Sequence, residues 1–218
     1  METSNKRLKK LFSQIPEEKM FPIYERHGIE PQEGPNDLVD EIRLDGSNTI
    51  TSLFRGWEGV DYDEIVRDVA SKMDVPYADT EDERKIETRL LEKLIEKYLK
   101  NASPEERENV KEILGEAGEE YMGNPRHLLE GGLLGFLISN VGRQVTAQIV
   151  ERIVLYIMAR QGVKQAGKAA AQIAGFAVPI LNIVLATWTV IDVAGPAFRK
   201  TVPTVLEVAL YRLQYETE

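Results

Sequence analysis

The chain has 218 residues, with 27 lysine and arginine side chains, 36 aspartate and glutamate side chains, two histidines and no cysteine. This length is sufficient for one domain or two small ones, and the absence of cysteine excludes disulfide bonds, thiol nucleophiles and thiolate-held metal centres. The formal net charge of −9 argues against a nucleic-acid-binding protein, because binding to phosphate backbones requires a cationic surface.

The charged side chains are distributed unevenly along the chain. Residues 1–120 hold 18 basic and 30 acidic side chains, whereas residues 121–218 hold 9 basic and 6 acidic ones. We therefore predict an acidic region of amphipathic helices over residues 1–122. Over residues 123–218 we predict an apolar helical hairpin followed by a C-terminal amphipathic helix. An apolar region of this size has to be buried against another surface. The function depends on whether that surface belongs to the protein itself, to a partner or to a membrane.

The first half of the chain is predicted to form short amphipathic helices. Apolar residues recur at helical spacing between Tyr62 and Met73, and again between Ile86 and Leu99. The run Ser103-Pro104-Glu105-Glu106 has the form of a capping box with proline in the first helical turn, so a helix is expected to begin there. No stretch alternates between apolar and polar residues as a strand would. The predicted fold is all-α, a multi-helix bundle with an apolar Gly/Ala-rich C-terminal helical hairpin.

A short stretch between two predicted helices combines aromatic, basic and glycine residues. It contains Phe54, Arg55 and Trp57 beside two glycines. Two interpretations stay open for this stretch. It is either a structural joint between helices or an exposed protrusion that docks a partner. In the second interpretation, Phe54, Arg55 and Trp57 are the partner-docking residues.

The second half contains two apolar segments. The first runs from Leu128 to Arg160, and its longest stretch without a charged residue, Gly131 to Gly142, has 12 residues, which is too short to span a bilayer. The second segment, residues 169–191, has 23 residues without a formal charge. As a helix it would rise about 34 Å, enough to cross a bilayer core of about 30 Å.

The segment 169–191 allows two interpretations. Small residues at four-residue spacing, among them Gly167, Ala171 and Gly175, would let another helix approach closely, as in pairs of membrane helices. The alternative is the central helix of a soluble bundle, apolar all round because its neighbours cover it, and the proline within the segment favours that alternative. In the first interpretation, the residues that face the membrane or the partner are Gly175, Phe176, Pro179, Leu181, Leu185 and Trp188.

The sequence offers few candidates for catalysis or metal binding. Residues 162–169 match a phosphate-binding loop except at Ala169, which replaces the Ser or Thr that holds magnesium, so a glycine-rich turn between helices is favoured. His127 and Glu130 have the spacing of metal ligands on one helical face, but the further ligands of a di-iron bundle are missing. His27 is expected to cap the end of a helix. We therefore predict no catalytic residue, no metal site and no cofactor.

The apolar segment ends where the chain is expected to turn, at Gly195-Pro196-Ala197-Phe198. Asp192 and Arg199 flank this turn and are placed to form an ion pair across it. Proline favours the first turn of a helix. Pro203 is therefore expected to begin the C-terminal helix.

Two blocks of the sequence resemble the YaaW-like proteins, a bacterial family of uncharacterised function. The first block, about residues 40–115, contains Gly46-Ser47-Asn48-Thr49-Ile50 and Tyr62-Asp63-Glu64-Ile65. The second, about residues 190–213, contains Gly195-Pro196-Ala197-Phe198-Arg199. The family is grouped distantly with the ubiquinol–cytochrome c chaperones, which are helical assembly factors of respiratory complexes. This resemblance implies a helical, non-catalytic, membrane-adjacent protein and carries over no catalytic residue.

The leading functional hypothesis is a non-enzymatic helical protein. Its apolar hairpin associates with a membrane or a protein partner, with membrane perturbation as the extreme form, and its acidic N-terminal half shields the hairpin. The alternative is a soluble assembly chaperone or adaptor in which the hairpin is the buried core. Expected partners are protein or membrane lipid and not nucleic acid, and a homo-oligomer stays open.

The expected location is the cytoplasm, with peripheral binding to the inner membrane or conditional insertion into it. This expectation depends on the N-terminal residues, which do not lead into the long apolar run of a secretory signal.

Overall fold

The computed structural model of the chain describes residues 2–47, 59–101, 103–115, 132–160 and 196–216. These residues form nine α-helices and one short 3-10 turn, and no strand occurs among them, which confirms the predicted all-α class. In chain order the helices are α1 (Ser4–Phe12), α2 (Glu17–His27), α3 (Pro35–Ser47), α4 (Tyr62–Lys72), α5 (Glu83–Asn101), α6 (Pro104–Leu114), α7 (Gly132–Val141), α8 (Arg143–Arg160) and α9 (Pro196–Tyr215). The 3-10 turn, Pro31–Glu33, lies between α2 and α3.

The apolar stripes that the spacing predicts for α4 and α5 are confirmed. Both stripes are buried in the hydrophobic core, and each belongs to a helix whose opposite side carries charged residues. The helix predicted to begin at the capping sequence is also present, because α6 begins at Pro104. The buried side chains of the two stripes are Tyr62, Ile65, Val66, Val69, Ala70, Ile86, Leu90, Leu91, Leu94 and Ile95.

The first apolar segment of the second half forms two helices rather than one. Gly142 separates α7 from α8 and has φ +82°, a left-handed conformation that glycine adopts without steric cost. Its N–H donates to the carbonyl of Ile138 at 3.1 Å and its carbonyl accepts from the N–H of Thr146 at 3.0 Å, so it ends one helix and begins the next. Both helices pack buried side chains into the core, among them Leu134 of α7 and Val150 of α8.

Helix α9 is enclosed by other helices. Every residue from Thr201 to Leu213 is buried, and the helix contacts α1, α2, α3, α4, α5 and α8. It begins at Pro196, so the prediction that Pro203 begins it was wrong. Pro203 lies inside the helix, where it removes one backbone hydrogen bond. The burial of neighbouring apolar side chains such as Val202 and Val205 offsets that loss.

The described helices from both halves of the chain share one hydrophobic core. Helix α9 contributes Val205, Leu206 and Val208, which are fully buried in a cluster with side chains of α1 to α5. The predicted boundary at residue 122 lies outside the described residues and stays a prediction.

None of the described helices combines the length and the apolar character that crossing a membrane requires. Residues 161–195, which contain the second arm of the predicted hairpin, lie outside the described part of the chain. The two interpretations of residues 169–191 therefore both stay open.

Candidate functional site

Polar and charged side chains of α9 are buried among the N-terminal helices. Thr204, Glu207 and Arg212 are 0%, 1% and 3% exposed. An ionised group in a protein interior costs free energy unless an opposite charge and hydrogen bonds compensate it. The partners of these three side chains therefore determine where α9 can lie.

The first buried ion pair joins α2 to α9. Both guanidinium nitrogens of Arg26 donate to the carboxylate of Glu207, at 2.7 and 2.9 Å, and one of them also donates to the hydroxyl of Thr204 at 3.0 Å. Burial opposes the charge of Arg26, but Glu207 outweighs that cost, and the pKa of Arg26 rises above its ordinary value. Arg26 therefore keeps its positive charge in the interior.

His27 continues this network toward α3. Its Nδ1 lies 2.7 Å from the carboxylate of Asp45, and its Nε2 lies 2.9 Å from the hydroxyl of Thr204. Burial lowers the pKa of His27, although Asp45 opposes the shift. Because the carboxylate of Asp45 only accepts hydrogen bonds, Nδ1 carries a proton. The ammonium group of Lys200 contacts both carboxylate oxygens of Asp45, at 2.9 and 2.8 Å. Burial alone would raise the pKa of Asp45, but its contacts with His27 and Lys200 outweigh that effect, and the pKa is lowered.

An acid, an imidazole and a hydroxyl in this order have the form of a catalytic relay. Here the side chain of His27 is 0% exposed, and the hydroxyl of Thr204 belongs to a residue that is 0% exposed. That hydroxyl also lies 2.8 Å from the carbonyl oxygen of Lys200. Because no substrate atom reaches the hydroxyl in this closed arrangement, we assign the network a structural role that joins α2, α3 and α9.

The second buried cluster surrounds Arg212 near the end of α9. Its guanidinium lies 2.6 Å from the carboxylate of Glu87, 3.6 Å from that of Glu83 and 3.1 Å from that of Glu216. Glu83 is shared with Arg7 of α1, which donates to both of its oxygens at 2.8 and 2.6 Å. The cluster thus joins α1, α5 and α9.

Glu87 titrates far above the ordinary range of a glutamate. The hydroxyl of Tyr62 donates to its carboxylate at 2.8 Å. Burial raises the pKa of Glu87 to about 7, against the opposing effect of Arg212. Because the ordinary value is 4.5, Glu87 changes its charge near neutral pH in the folded protein.

A cleft opens beside this second cluster, where α5, α7, α8 and α9 meet. It has a volume of about 290 Å³, and its walls include Glu87, Arg212, Arg84, Lys85 and Arg143. Through this cleft, side chains of the mostly buried network border the surface. Among the described residues it therefore offers the second cluster a route to a ligand or to solvent protons.

A third buried carboxylate fixes the start of α7. One oxygen of Glu92 on α5 accepts hydrogen bonds from the backbone N–H groups of Leu134 and Gly135, at 2.8 and 3.2 Å. Gly132 has φ +70°, and a Cβ atom there would collide with this carboxylate. Burial raises the pKa of Glu92 despite the two backbone donors. The contact holds the second half of the chain against α5.

Most residues that the sequence singled out lie outside the described part of the chain. The exception among the predicted site residues is Arg199, an exposed side chain in the first turn of α9. Its predicted ion pair with Asp192 is not tested. The other site residues outside the described ranges are Phe54, Arg55, Trp57, Gly175, Phe176, Pro179, Leu181, Leu185, Trp188 and Asp192, together with His127, Glu130 and the loop 162–169.

His27 departs from its expected role. It is the last residue of α2, but the left-handed Gly28 provides the C-cap, while the ring of His27 bonds to side chains of two other helices. The sequence around a single histidine does not indicate which residues, distant along the chain, its ring will contact.

Sequence reasoning missed the buried charge network. One signal was present, because Glu207 and Arg212 interrupt an otherwise apolar stretch of the last helix and must find partners if that stretch is buried. Their partners could not be identified in advance, because Arg26 and Glu87 look like ordinary charged positions on amphipathic helices. Among the described residues, no group of three or more His, Asp and Glu side chains is placed to hold a metal ion.

Comparison with known proteins identifies relatives in one bacterial species. A UPF0174 protein of Helicobacter pylori strain J99 is 32% identical over 195 residues, which cover 88% of this chain and 76% of the relative. A UPF0174 protein of strain 26695 is 26% identical over 209 residues, covering 89% of this chain and 95% of the relative. Another from strain J99 is 26% identical over 203 residues, with the same coverage. No family model matches the chain, and no solved structure matches it significantly.

We predict that removing one charge of the buried Arg26–Glu207 pair strongly destabilises the protein. Glu207→Gln leaves the guanidinium of Arg26 buried without an opposite charge, which should lower the free energy of unfolding by about 3 kcal/mol. The measurement is urea denaturation at pH 7. As a control, Asp40→Asn removes a carboxylate that is 51% exposed and pairs with Lys9, and it should cost less than about 1 kcal/mol. Equal losses in the two variants would contradict the assignment.

We predict that Glu87 makes the stability of the protein fall as the pH rises from about 4.5 to about 7. Its folded pKa is raised to about 7, so the folded state binds the proton more tightly than the unfolded state does. The stabilising contribution is therefore complete at low pH and is lost through pH 7, by up to about 3 kcal/mol.

The check is the difference in unfolding free energy between the wild type and Glu87→Gln at several pH values. This difference should decline between pH 4.5 and 7 and stay level above. Glu105→Gln, which removes an exposed carboxylate, should give a curve parallel to the wild type. A pH-independent difference for Glu87→Gln would show that the carboxyl group titrates normally.

Proposed function

This chain belongs to the UPF0174 family of bacterial proteins, and we propose that it is a non-enzymatic helical protein that presents an apolar segment to a membrane or a protein partner. In this proposal the N-terminal helices hold α9, and α9 fixes one end of the segment 169–191. The N-terminal half shields that segment reversibly, by a cover that adds little to the stability of the common core, until the membrane or the partner is present. Perturbation of the membrane is the extreme form of the same activity.

The observation that carries the proposal is the anchoring of α9, the helix that follows the apolar segment in the chain. Three buried or half-buried ion pairs attach it to the N-terminal helices: Arg26 with Glu207, Lys200 with Asp45, and Arg212 with Glu87. A helix that is enclosed by its neighbours and held by paired charges can stay in place while the apolar segment before it enters a membrane or binds a partner. The acidic N-terminal half supplies most of the opposite charges.

The charge distribution supports an association at the cytoplasmic face of the inner membrane. The second half of the chain carries 9 basic and 6 acidic side chains, against 18 and 30 in residues 1–120. Lys164 and Lys168 precede the apolar segment, and the exposed Arg199 follows it. Basic groups beside an apolar segment are attracted to anionic lipid headgroups.

A second candidate function is that of a soluble assembly chaperone or adaptor in which the whole apolar region is core. The observation in its favour is the burial of the first apolar segment, since Leu133, Leu134 and Leu137 of α7 and Val150 and Ile153 of α8 belong to the common core. The resemblance to the YaaW-like proteins, with their distant grouping among assembly chaperones, also favours this candidate.

The double substitution Leu181→Asp/Leu185→Asp separates the two candidates. If the segment serves an external partner, two new charges should leave the free energy of unfolding within about 1 kcal/mol of the wild type while abolishing the association. If the segment is core, two buried charges should cost several kcal/mol. The readouts are urea denaturation, flotation with phosphatidylglycerol vesicles after a carbonate wash, and release of a dye from those vesicles.

Val145→Asp is the matched control, because Val145 is an apolar side chain of α8 that is 45% exposed. It should change neither stability nor flotation. Flotation of the wild type that the double substitution abolishes supports the membrane form, whereas a stable double variant and a wild type that does not float support the protein-partner form. A double variant that loses several kcal/mol of stability contradicts the proposal and supports the second candidate.

A further inference from the structure

Two neighbouring depressions meet on the surface where α5, α8 and α9 approach each other. The first is the cleft of about 290 Å³ beside Arg212, and the second, of about 430 Å³, extends toward α1. Their walls share Arg84, Arg143 and Glu216. Arg143 therefore faces both depressions from the start of α8.

The acidic groups in the walls of the first depression already have cationic partners. Asp82 accepts two hydrogen bonds from Arg84, at 2.8 and 2.7 Å. Glu87 and Glu216 both hold Arg212, at 2.6 and 3.1 Å. These three carboxylates are matched by two guanidinium groups, and the raised pKa of Glu87, caused mainly by its burial, further reduces their negative charge near pH 7.

Arg143 has no such compensation. Its Nε atom is buried and makes no hydrogen bond, and within the described ranges its guanidinium forms no ion pair. Three other arginines also have a buried nitrogen without a hydrogen bond, but each of those holds a carboxylate: Arg26 with Glu207, Arg89 with Glu81 and Arg212 with Glu87. A partly buried guanidinium without an anion is costly, so Arg143 differs from these three in a way that points to an external anion.

Further cations surround Arg143. Lys85 lies in the wall of the first depression, and Lys10 and Arg7 lie in the wall of the second. Lys10 and Lys85 are exposed, and neither forms an ion pair with a residue that the structure describes. Arg7 is held by Glu83, and Glu2 is the additional acid in the second wall. The two depressions thus carry a surplus of positive charge in a chain whose net charge is −9.

We propose that these joined depressions bind a phosphate group, with Arg143 as the principal contact and Lys85 and Lys10 as supporting charges. A guanidinium presents parallel N–H donors that match two oxygens of a phosphate, and ammonium groups add charge without directional constraint. Each depression, of about 290 and about 430 Å³, has room for a phosphate group. The residues of this site lie outside the segment 169–191, so the result for this site does not depend on the result for the proposed function.

Two kinds of molecule can supply the phosphate group, and the same side chains would bind either one. The first is a soluble phosphate or phosphate ester, and the second is the headgroup of a phospholipid. The experiment uses the full chain at constant ionic strength, because general screening by salt would otherwise resemble binding. One arm titrates inorganic phosphate and glycerol 3-phosphate and records the midpoint of thermal unfolding. The other arm measures binding to phosphatidylglycerol vesicles, with phosphatidylcholine vesicles as reference, for proteins that also carry Leu181→Asp/Leu185→Asp, so that binding through the apolar segment does not contribute.

The test variant is Arg143→Gln, and the matched control is Arg152→Gln, which removes the same charge from an exposed position of the same helix. The wild type and Arg152→Gln should show a saturable response in at least one arm. Arg143→Gln should weaken that response about tenfold or more, because it loses the charged donors. Should Arg143→Gln fold poorly, Arg143→Lys and Lys85→Gln replace it, with the same prediction of weaker binding.

The responses in the two arms identify the source of the phosphate group and test whether the site exists. A response to the soluble phosphates that Arg143→Gln loses supports the site with a soluble ligand, and a response confined to phosphatidylglycerol that Arg143→Gln loses supports the site with a lipid headgroup. A saturable response of equal strength in Arg143→Gln and Arg152→Gln overturns the proposal, since the anion then binds elsewhere. The absence of a saturable response in both arms also overturns it.

Discussion

Charged side chains in the interior of this protein must be paired, and that requirement determines how its last helix is held. Arg212 and Glu207 lie on the enclosed helix α9, where each is at most 3% exposed. Their partners, Arg26, Glu83 and Glu87, lie on α2 and α5. Apolar contacts alone would let such a helix slide or rotate at small cost, whereas a shift of one residue would separate these charges in a medium that penalises separation.

The two ends of α9 have different surroundings. Near its beginning, the partly exposed Lys200 contacts Asp45, and Thr204 contacts the fully buried side chain of His27. Near its end, Arg212 belongs to a network that borders the cleft where Arg143 lies. The apolar residues 169–191 precede the beginning of α9 in the chain, whereas the proposed phosphate site lies near its end.

The sequence predicted the all-α class, the buried stripes of α4 and α5 and the start of α6, because these depend on local spacing, but it did not locate α1 to α3 or the break between α7 and α8. The stripe from Tyr62 to Met73 and the start of α6 at Pro104 followed from helical periodicity and proline placement. The start of α9 was predicted wrongly, because a proline that usually begins a helix is tolerated within this one. The buried ion pairs could not be predicted, since Arg26 and Glu207 are far apart in the chain and only the tertiary fold brings them together.

We expect α9 and the N-terminal helices to unfold as one cooperative unit, because these buried pairs hold them together. Native-state hydrogen exchange of the full chain can detect this, because it reports the free energy of opening for each backbone amide. The amides of residues 204–213 should exchange only through global unfolding, with the same free energy as the slowest amides of α2 and α5. Exchange of α9 through a separate opening of much lower free energy, while α2 and α5 stay protected, would contradict it.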